Sequence, residues 1–477
     1  MKVVVFKAHS ILFPIFILAF YQPLFAQTTA QQSLPTALKL SILKKDKLLY
    51  QTVLTANSGD SLVSKTKKGL FKCSKKKIID PTLLKSMVTA DGSERLTVIQ
   101  LEDTASINPK DLTNVKIRIS PQQTSQFSKE RIGSLELDSI IANGMAFYYN
   151  HPTFKDSLSP SEIHFDVITE GVNCAQVLMH FSMPILYSGI VMVHGLNSSS
   201  KEFKALSSYL LKRKYQPFQL NAINYPDSLG FAKNMQVIPK AIDSLLKVME
   251  DNHVSASKVD LIGHSMGGII SRLYVQGKGS DRKDVNRLIT CNTPHSGSPV
   301  ANFVRDSSNK VLVNRIRHIG NKRFNLKSLI PDPNSQAVID LQVGSEAIEK
   351  LLNGERLNFN KVSCHAICTE RLLPQMAFKS RFIKTFFTIF MDESSHVVDA
   401  HDGVVPMKSQ RGGLDESCTS CIKKQWHSLS VANKNVEKKI LELLQTDPLS
   451  KKFTTGGFKP VKLVYLKPRT TKTKLTY

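Results

Sequence analysis

The chain has 477 residues, enough for two domains, one of them a full-sized α/β core. Hydrophobic residues at 41% and charged ones at 22% are ordinary for a soluble globular protein, but 64 Lys and Arg against 39 Asp and Glu leave a formal charge of +25. That excess sets aside cationic partners and suits anionic ones, such as phospholipid head groups, acidic polymers or nucleic acid; a lysine-rich solvated surface explains it more simply, because charge alone names no partner.

Residues 1–26 read as a secretory signal peptide. Lys2 and Lys7 supply a positive start, Ile11 to Phe20 a short apolar run interrupted by Pro14, and Leu24-Phe25-Ala26 a cleavage site before Gln27. The run falls short of the roughly 20 residues a transmembrane helix needs, and no cysteine near the cleavage site offers a lipid anchor. The expectation is export: periplasmic, cell-surface or secreted.

Residues 27–180 alternate apolar and polar residues in short runs, at Leu96 to Gln100, Val115 to Ile119 and Ile163 to Ile168, bounded by turn-forming residues. Period-two alternation predicts half-buried strands, hence a β-rich accessory domain, a small sandwich. The lysines at 65, 67, 68, 72 and 75–77 belong on its surface. Nothing in this region looks catalytic.

From about residue 186 the pattern becomes strand–helix–strand, and residues 181–450 are expected to form an α/β domain. Gly189 to Val193 is a nearly continuous apolar run, as in a strand buried on both faces. Helices are predicted over 201–213, 238–252 and 267–276. Strands are predicted at Phe218 to Tyr225, Val259 to Ile262 and Val285 to Cys291, the alternation of a mainly parallel sheet. The segment 451–477 carries eight Lys or Arg and no acid, a basic tail read as a solvated arm or a strand folded back on the body. Seven cysteines include Cys364 and Cys368, and Cys418 and Cys421. In an exported chain these suggest disulfides ahead of a zinc site.

The sharpest local signal is Gly263-His264-Ser265-Met266-Gly267, a G-x-S-x-G between a buried strand and a helix. Such a turn holds a serine hydroxyl clear of the sheet, and the glycines are needed where a side chain would strike neighbouring backbone. Ser265 is the expected nucleophile, and the Met266 N–H, at the helix start, one oxyanion donor. The second donor is expected from the loop Val193-His194-Gly195-Leu196-Asn197. Gly195 permits a tight path there, the Leu196 N–H donates, and His194 has a supporting structural role. An acid and a base must follow in the order Ser, Asp or Glu, His. Asp402, in His401-Asp402-Gly403, and His427, in Trp426-His427-Ser428, are the candidates, with Glu370, His396 and His401 as rivals.

With these pieces assembled, the chain resembles the lipase-like branch of the α/β hydrolases, which includes bacterial triacylglycerol lipases and proteins similar to the deacylase of glycosylphosphatidylinositol anchors. The resemblance rests on Val193 to Leu196, Gly263 to Gly268, Cys291-Asn292-Thr293-Pro294-His295-Ser296-Gly297-Ser298-Pro299, Asp402 to Pro406 and His427, spanning about 186–445. It implies an α/β-hydrolase fold and an esterase or lipase, with Thr293, Pro294 and His295 supporting the site. It also suggests a lid within 299–357, where a plain insertion is the alternative. The expected partner is a small-molecule or lipid ester and, given the charge, an anionic membrane surface. No cofactor, metal or nucleic acid is expected. An acyltransferase or amidase with the same triad, or an idle surface-binding protein, are the other readings.

Overall fold

The computed structural model describes residues 37–55, 82–103, 115–141, 144–170, 175–277, 281–311, 313–314, 331–354, 362–371, 388–390 and 399–467. The signal peptide, the lysine cluster at 65–77, Cys73, Cys174, His396 and residues 468–477 lie outside them.

Six strands form the central sheet: β1 (Gly189–Val193), β2 (Leu220–Ile223), β3 (Val259–His264), β4 (Val285–Cys291), β5 (Ser363–Glu370) and β6 (Thr419–Lys423). All pair in parallel, in the order β2-β1-β3-β4-β5-β6. The helices are α1 (Lys204–Leu211), α2 (Val237–Asp251), α3 (Met266–Gln276) and α4 (Lys434–Leu444). Period-two alternation divides the strands between two cores. Val191, Val193, Val259 and Leu261 pack toward α2 and α3. Ile190, Met192, Ile262 and Ile289 pack toward α1 and α4. Burial on both faces explains the unbroken apolar runs. This is the α/β-hydrolase architecture expected from the sequence.

Ahead of it lies a β-rich region of two sheets. One is antiparallel, ordered Lys47–Thr55, Ala37–Lys44, Thr97–Asp103, Gly144–Asn150, Ser134–Ile141. The other is built around the long strand Ala175–Leu186, paired with Glu162–Glu170, which in turn pairs Val115–Ile119. Leu38, Ile99 and Phe147 from the first sheet share a core with Val115, Phe165 and Phe181 from the second. The strand Ala175–Leu186 runs across residue 180, where the sequence texture changes. Met87–Thr89, alongside it, pairs in parallel with Val254–Ser255, so the second sheet takes one strand from the α/β part.

Two sequence expectations meet a different outcome. The five described cysteines carry free thiols. Cys364 and Cys368 lie on one extended strand, β5, where four residues span ~13 Å, beyond any disulfide. Cys368 instead faces Cys421 across the β5–β6 pair. The described part of the tail is not a solvated arm. Thr454 bridges Cys364, and Phe453 and Phe458 are buried. Phe458 stacks on His295 at 4.0 Å between ring centroids. Two aromatic side chains outweigh the cost of ordering the lysines around them.

Candidate active site

The strand order reverses direction between β1 and β3, and ligands of open α/β sheets bind at such a switch point, beyond the carboxyl ends of the strands. The residues following β1 and β3 here are Gly195-Leu196 and Ser265.

Ser265 occupies φ 52° and ψ −126° between β3 and α3, a region costly for a side chain. The turn is held by the Ser265 N–H donating to Cys291 O at 2.9 Å and the Gly268 N–H to Ser265 O at 3.0 Å. A Cβ on Gly263 would strike Gly268, and one on Gly267 the carbonyls of Val193 and His194, so the close passage of α3 over β3 requires the first glycine and its passage over the end of β1 the second. Met266 opens α3, so its N–H has no partner within the helix.

Gly195 lies so near the elbow that a Cβ there would sit 2.9 Å from Ser265 Cβ. The Gly195 N–H donates to Glu202 Oε2 at 3.2 Å, which leaves Leu196 as the next amide in the loop. His194 Nδ1 donates to Gly195 O at 2.7 Å, its ring stacks on Tyr225, and its carbonyl accepts from the Tyr225 hydroxyl at 2.5 Å. It braces the loop.

His427 bridges the other two expected residues. Its Nε2 lies 2.8 Å from Ser265 Oγ and its Nδ1 2.7 Å from Asp402 Oδ2. Asp402 is fully buried and amply satisfied. Oδ1 accepts from the Val404 and Val405 N–H groups at 2.9 and 2.8 Å, and Oδ2 also accepts from Asn292 Nδ2 at 2.7 Å. Burial pushes the Asp402 carboxyl up, but the His427 ring, Asn292 and the Val405 amide outweigh it and hold it below the usual range. An imidazole between a buried carboxylate and a hydroxyl can take the hydroxyl proton as it attacks an electrophile.

The rivals within the described residues, His401 and Glu370, are placed elsewhere. His401 stacks on Phe390 at 4.2 Å and its Nδ1 accepts the Gly403 N–H at 3.0 Å; burial pushes its imidazole down to about 4 despite the Asp402 charge. Glu370 ends β5, its carboxylate 3.9 Å from Lys423 Nζ. His295 lies beneath α3, 3.4 Å from Arg272 Nη1 and 3.2 Å from Thr290 Oγ1. Ser298 Oγ donates to Val404 O at 2.6 Å, linking the Thr293–Ser298 stretch to the Asp402 loop.

Sequence reasoning missed two residues. Asn292 stands in the quoted Cys291–Pro299 stretch, at φ 52°, which asparagine tolerates better than most; its side chain ties Asp402 to Thr369. Glu202, in the turn Ser200–Phe203, sets its carboxylate against His264 Nδ1. Nothing around Glu202 in the sequence signals it.

A cavity of about 180 Å³ opens beside Ser265 and His427. Leu196, Val300, Ala301, Val338, Leu341 and Val405 make its apolar wall, and Glu202 and His264 a polar edge. Val300 and Ala301 come from the helix Pro299–Arg305, and Val338 from the helix Gln336–Asp340, both within the expected lid segment. Among the described residues no cluster of His, Cys, Asp and Glu could hold a metal ion, and no helix is long and apolar enough to cross a membrane.

The family comparison agrees with this architecture. Residues 188–329 match the family model of the PGAP1-like alpha/beta domain. The GPI inositol-deacylases of Mus musculus and Rattus norvegicus are each 24% identical over 157 residues, 29% of this chain and 17% of theirs. The match therefore spans about a sixth of the length of those curated relatives. Among solved structures, the mature lipase BlEst2 of Bacillus licheniformis aligns over 55% of this chain and 93% of its own, at 21% identity and a TM-score of 0.39. EstA of Clostridium botulinum aligns over 55% and 88%, at 14% identity and a TM-score of 0.35. The chain carries an α/β-hydrolase domain whose residues 188–329 are similar to the PGAP1-like alpha/beta domain.

Proposed function

We propose that the protein is an exported serine hydrolase that cleaves carboxylic esters, lipid-like ones included, through an acyl-enzyme on Ser265. The observation that carries the reading is the continuous contact from Ser265 Oγ through His427 to Asp402, at 2.8 and 2.7 Å, beside an apolar cavity. His427 Nε2 takes the Ser265 proton as Oγ attacks the ester carbonyl, and Asp402 stabilises the imidazolium that forms. The Leu196 and Met266 amides receive the oxyanion, where each donor is worth ~10²-fold or more in rate. The imidazolium returns its proton to the departing alcohol. Water, activated by the same ring, then releases the acid and restores Ser265.

The apolar wall built from 299–305 and 336–341 receives the acyl chain, so the segment read as a lid supplies the substrate wall. Export accords with the amino-terminal pattern of Lys2, Lys7 and the apolar run Ile11 to Phe20.

Ser265→Ala, in the full chain, should lower turnover of a short-chain p-nitrophenyl ester by ~10⁴-fold or more with the melting transition preserved. Undiminished hydrolysis in that variant would sink the reading. Labelling by a fluorophosphonate, which only an activated serine accepts readily, gives an independent check.

A further inference from the structure

We propose that Glu202 and His264 form a second carboxylate–imidazolium pair, one that positions the oxyanion loop and the His427 loop against Ser265. The proposal rests on the reading of Ser265, His427 and Asp402 given above and deepens it.

Glu202 and His264 come from different elements and meet under the site. Glu202 lies in the turn following β1; His264 is the last residue of β3, directly before Ser265. Glu202 Oε1 pairs with His264 Nδ1, while Oε2 accepts the Gly195 N–H at 3.2 Å. At the far side of the ring, His264 Nε2 donates to the backbone carbonyl of His427 at 3.1 Å. One carboxylate and one ring therefore bind the loop after β1, the elbow after β3 and the segment carrying the base.

The partners dictate the ring's charge. A carbonyl oxygen has no proton to give, so Nε2 must carry one. With Glu202 ionised, the carboxylate against Nδ1 has none to give either, so we assign the second proton to Nδ1 and take His264 as an imidazolium. Burial pushes the Glu202 carboxyl up, yet the His264 charge and the hydrogen bonds from Gly195 and Ser198 outweigh it and hold it at about 2. Burial pushes the His264 imidazole down, and Glu202, with Asp402 and the His427 carbonyl, overcomes that and leaves it raised. The groups facing the pair are Ser265 beside it, Asp402 and His427 from the loops beyond β5 and β6, and Cys291 and Tyr225, which lie within the Glu202 field.

Three consequences follow for the reaction. With its Gly195 N–H committed to Glu202, the loop turns its next amide, Leu196, toward the reacting centre. The hold on the His427 carbonyl fixes the backbone from which the base reaches Ser265 Oγ. Because the pair lasts only while Glu202 is ionised and His264 protonated, it weakens as pH rises through the His264 value, and turnover falls on the alkaline side. Glu202 and His264 are positioning residues; Ser265, His427 and Asp402 do the chemistry.

The test uses the full chain labelled with ¹⁵N-histidine, with the His264 signals identified by their loss in His264→Gln. At about pH 7 both ring nitrogens of His264 should be protonated in the wild type, and one should lose its proton in Glu202→Gln. In Glu202→Gln and His264→Gln, kcat on the p-nitrophenyl ester should fall about 10-fold or more with KM within about twofold. A neutral His264 ring in the wild type, or an unaltered kcat and alkaline limb in Glu202→Gln, would overturn the proposal. The ring's charge is read without turnover, so failure of the nucleophile reading shows separately, as activity retained in Ser265→Ala.

Discussion

Asn292 shows how much of the site depends on residues that touch no substrate. Its amide donates to Asp402 Oδ2, the same oxygen that faces His427 Nδ1, so it shares in holding the carboxylate at the correct angle. Its backbone N–H is bound to Ile367 O at 2.9 Å, which anchors it to β5. Replacing Asn292 by Ala should cost about 1–3 kcal/mol, because a buried charged acceptor loses a donor. It should also lower kcat by about 10-fold as Asp402 and His427 loosen. Denaturant melts and steady-state kinetics on one preparation check both. Asn292 stood in plain sight within a quoted motif, yet which of its neighbours it served depended on Asp402, 110 positions away. The meeting of Ser265, Asp402 and His427 was legible because local signals mark each of them: a glycine-flanked turn, a carboxylate before Gly403, and the expected order along the chain. Glu202 was not, because an acid in a surface-like turn carries no local mark of the ring it will meet.

Strands β1, β3 and β4 and helices α2 and α3 lie within a residue or two of their sequence-based positions, because burial on both faces writes itself as unbroken apolar runs. The apolar spacing from Val338 to Leu352 reads as a helical stretch, and the structure divides it into two pieces, Gln336–Asp340 and Ala347–Leu352, with Gly344 at φ 75° between them. Periodicity saw the buried face and not the turn. The tail was misjudged for a related reason. Lysine count suggested a solvated arm, while two phenylalanines decided the packing. Phe458 is fully buried, stacked on His295 and 5.3 Å from the Arg272 guanidinium. Phe458→Ala should therefore cost about 3–5 kcal/mol in a denaturant melt, far more than any lysine of the same segment. A loss under about 1 kcal/mol would mean that the tail contributes nothing to the core beneath α3.

At the scale of the molecule, the β-rich region and the α/β part meet along a seam of buried polar groups. Asp91 Oδ2 accepts the Ser257 and Lys258 N–H groups at 2.9 and 3.1 Å, and Oδ1 lies 3.2 Å from His151 Nδ1. His151 Nε2 reaches Thr97 Oγ1 at 2.7 Å, which donates to Ser255 Oγ at 2.7 Å. Burial pushes the Asp91 carboxyl up, but His151, Ser93 and the Ser257 amide hold it well below the usual range. A depressed carboxyl stabilises the fold above its unfolded value near pH 4, and that contribution is lost as pH falls toward the folded value. Asp91→Asn should thus cost about 1–3 kcal/mol at neutral pH, and its deficit relative to wild type should hold from about pH 6 to about 4 and shrink as the pH falls from there toward about 2. Melts across that range, followed by circular dichroism, decide it; a constant deficit would refute the assignment.

The strand Val254–Ser255 belongs by chain position to the α/β part and by hydrogen bonding to the other sheet. A fragment trimmed to begin near residue 187 would therefore bare an unsatisfied flank and the Ser255 hydroxyl together, an invitation to clumping. The β-rich region is built into its neighbour's masonry, and excising it is a different act from removing a detachable passenger.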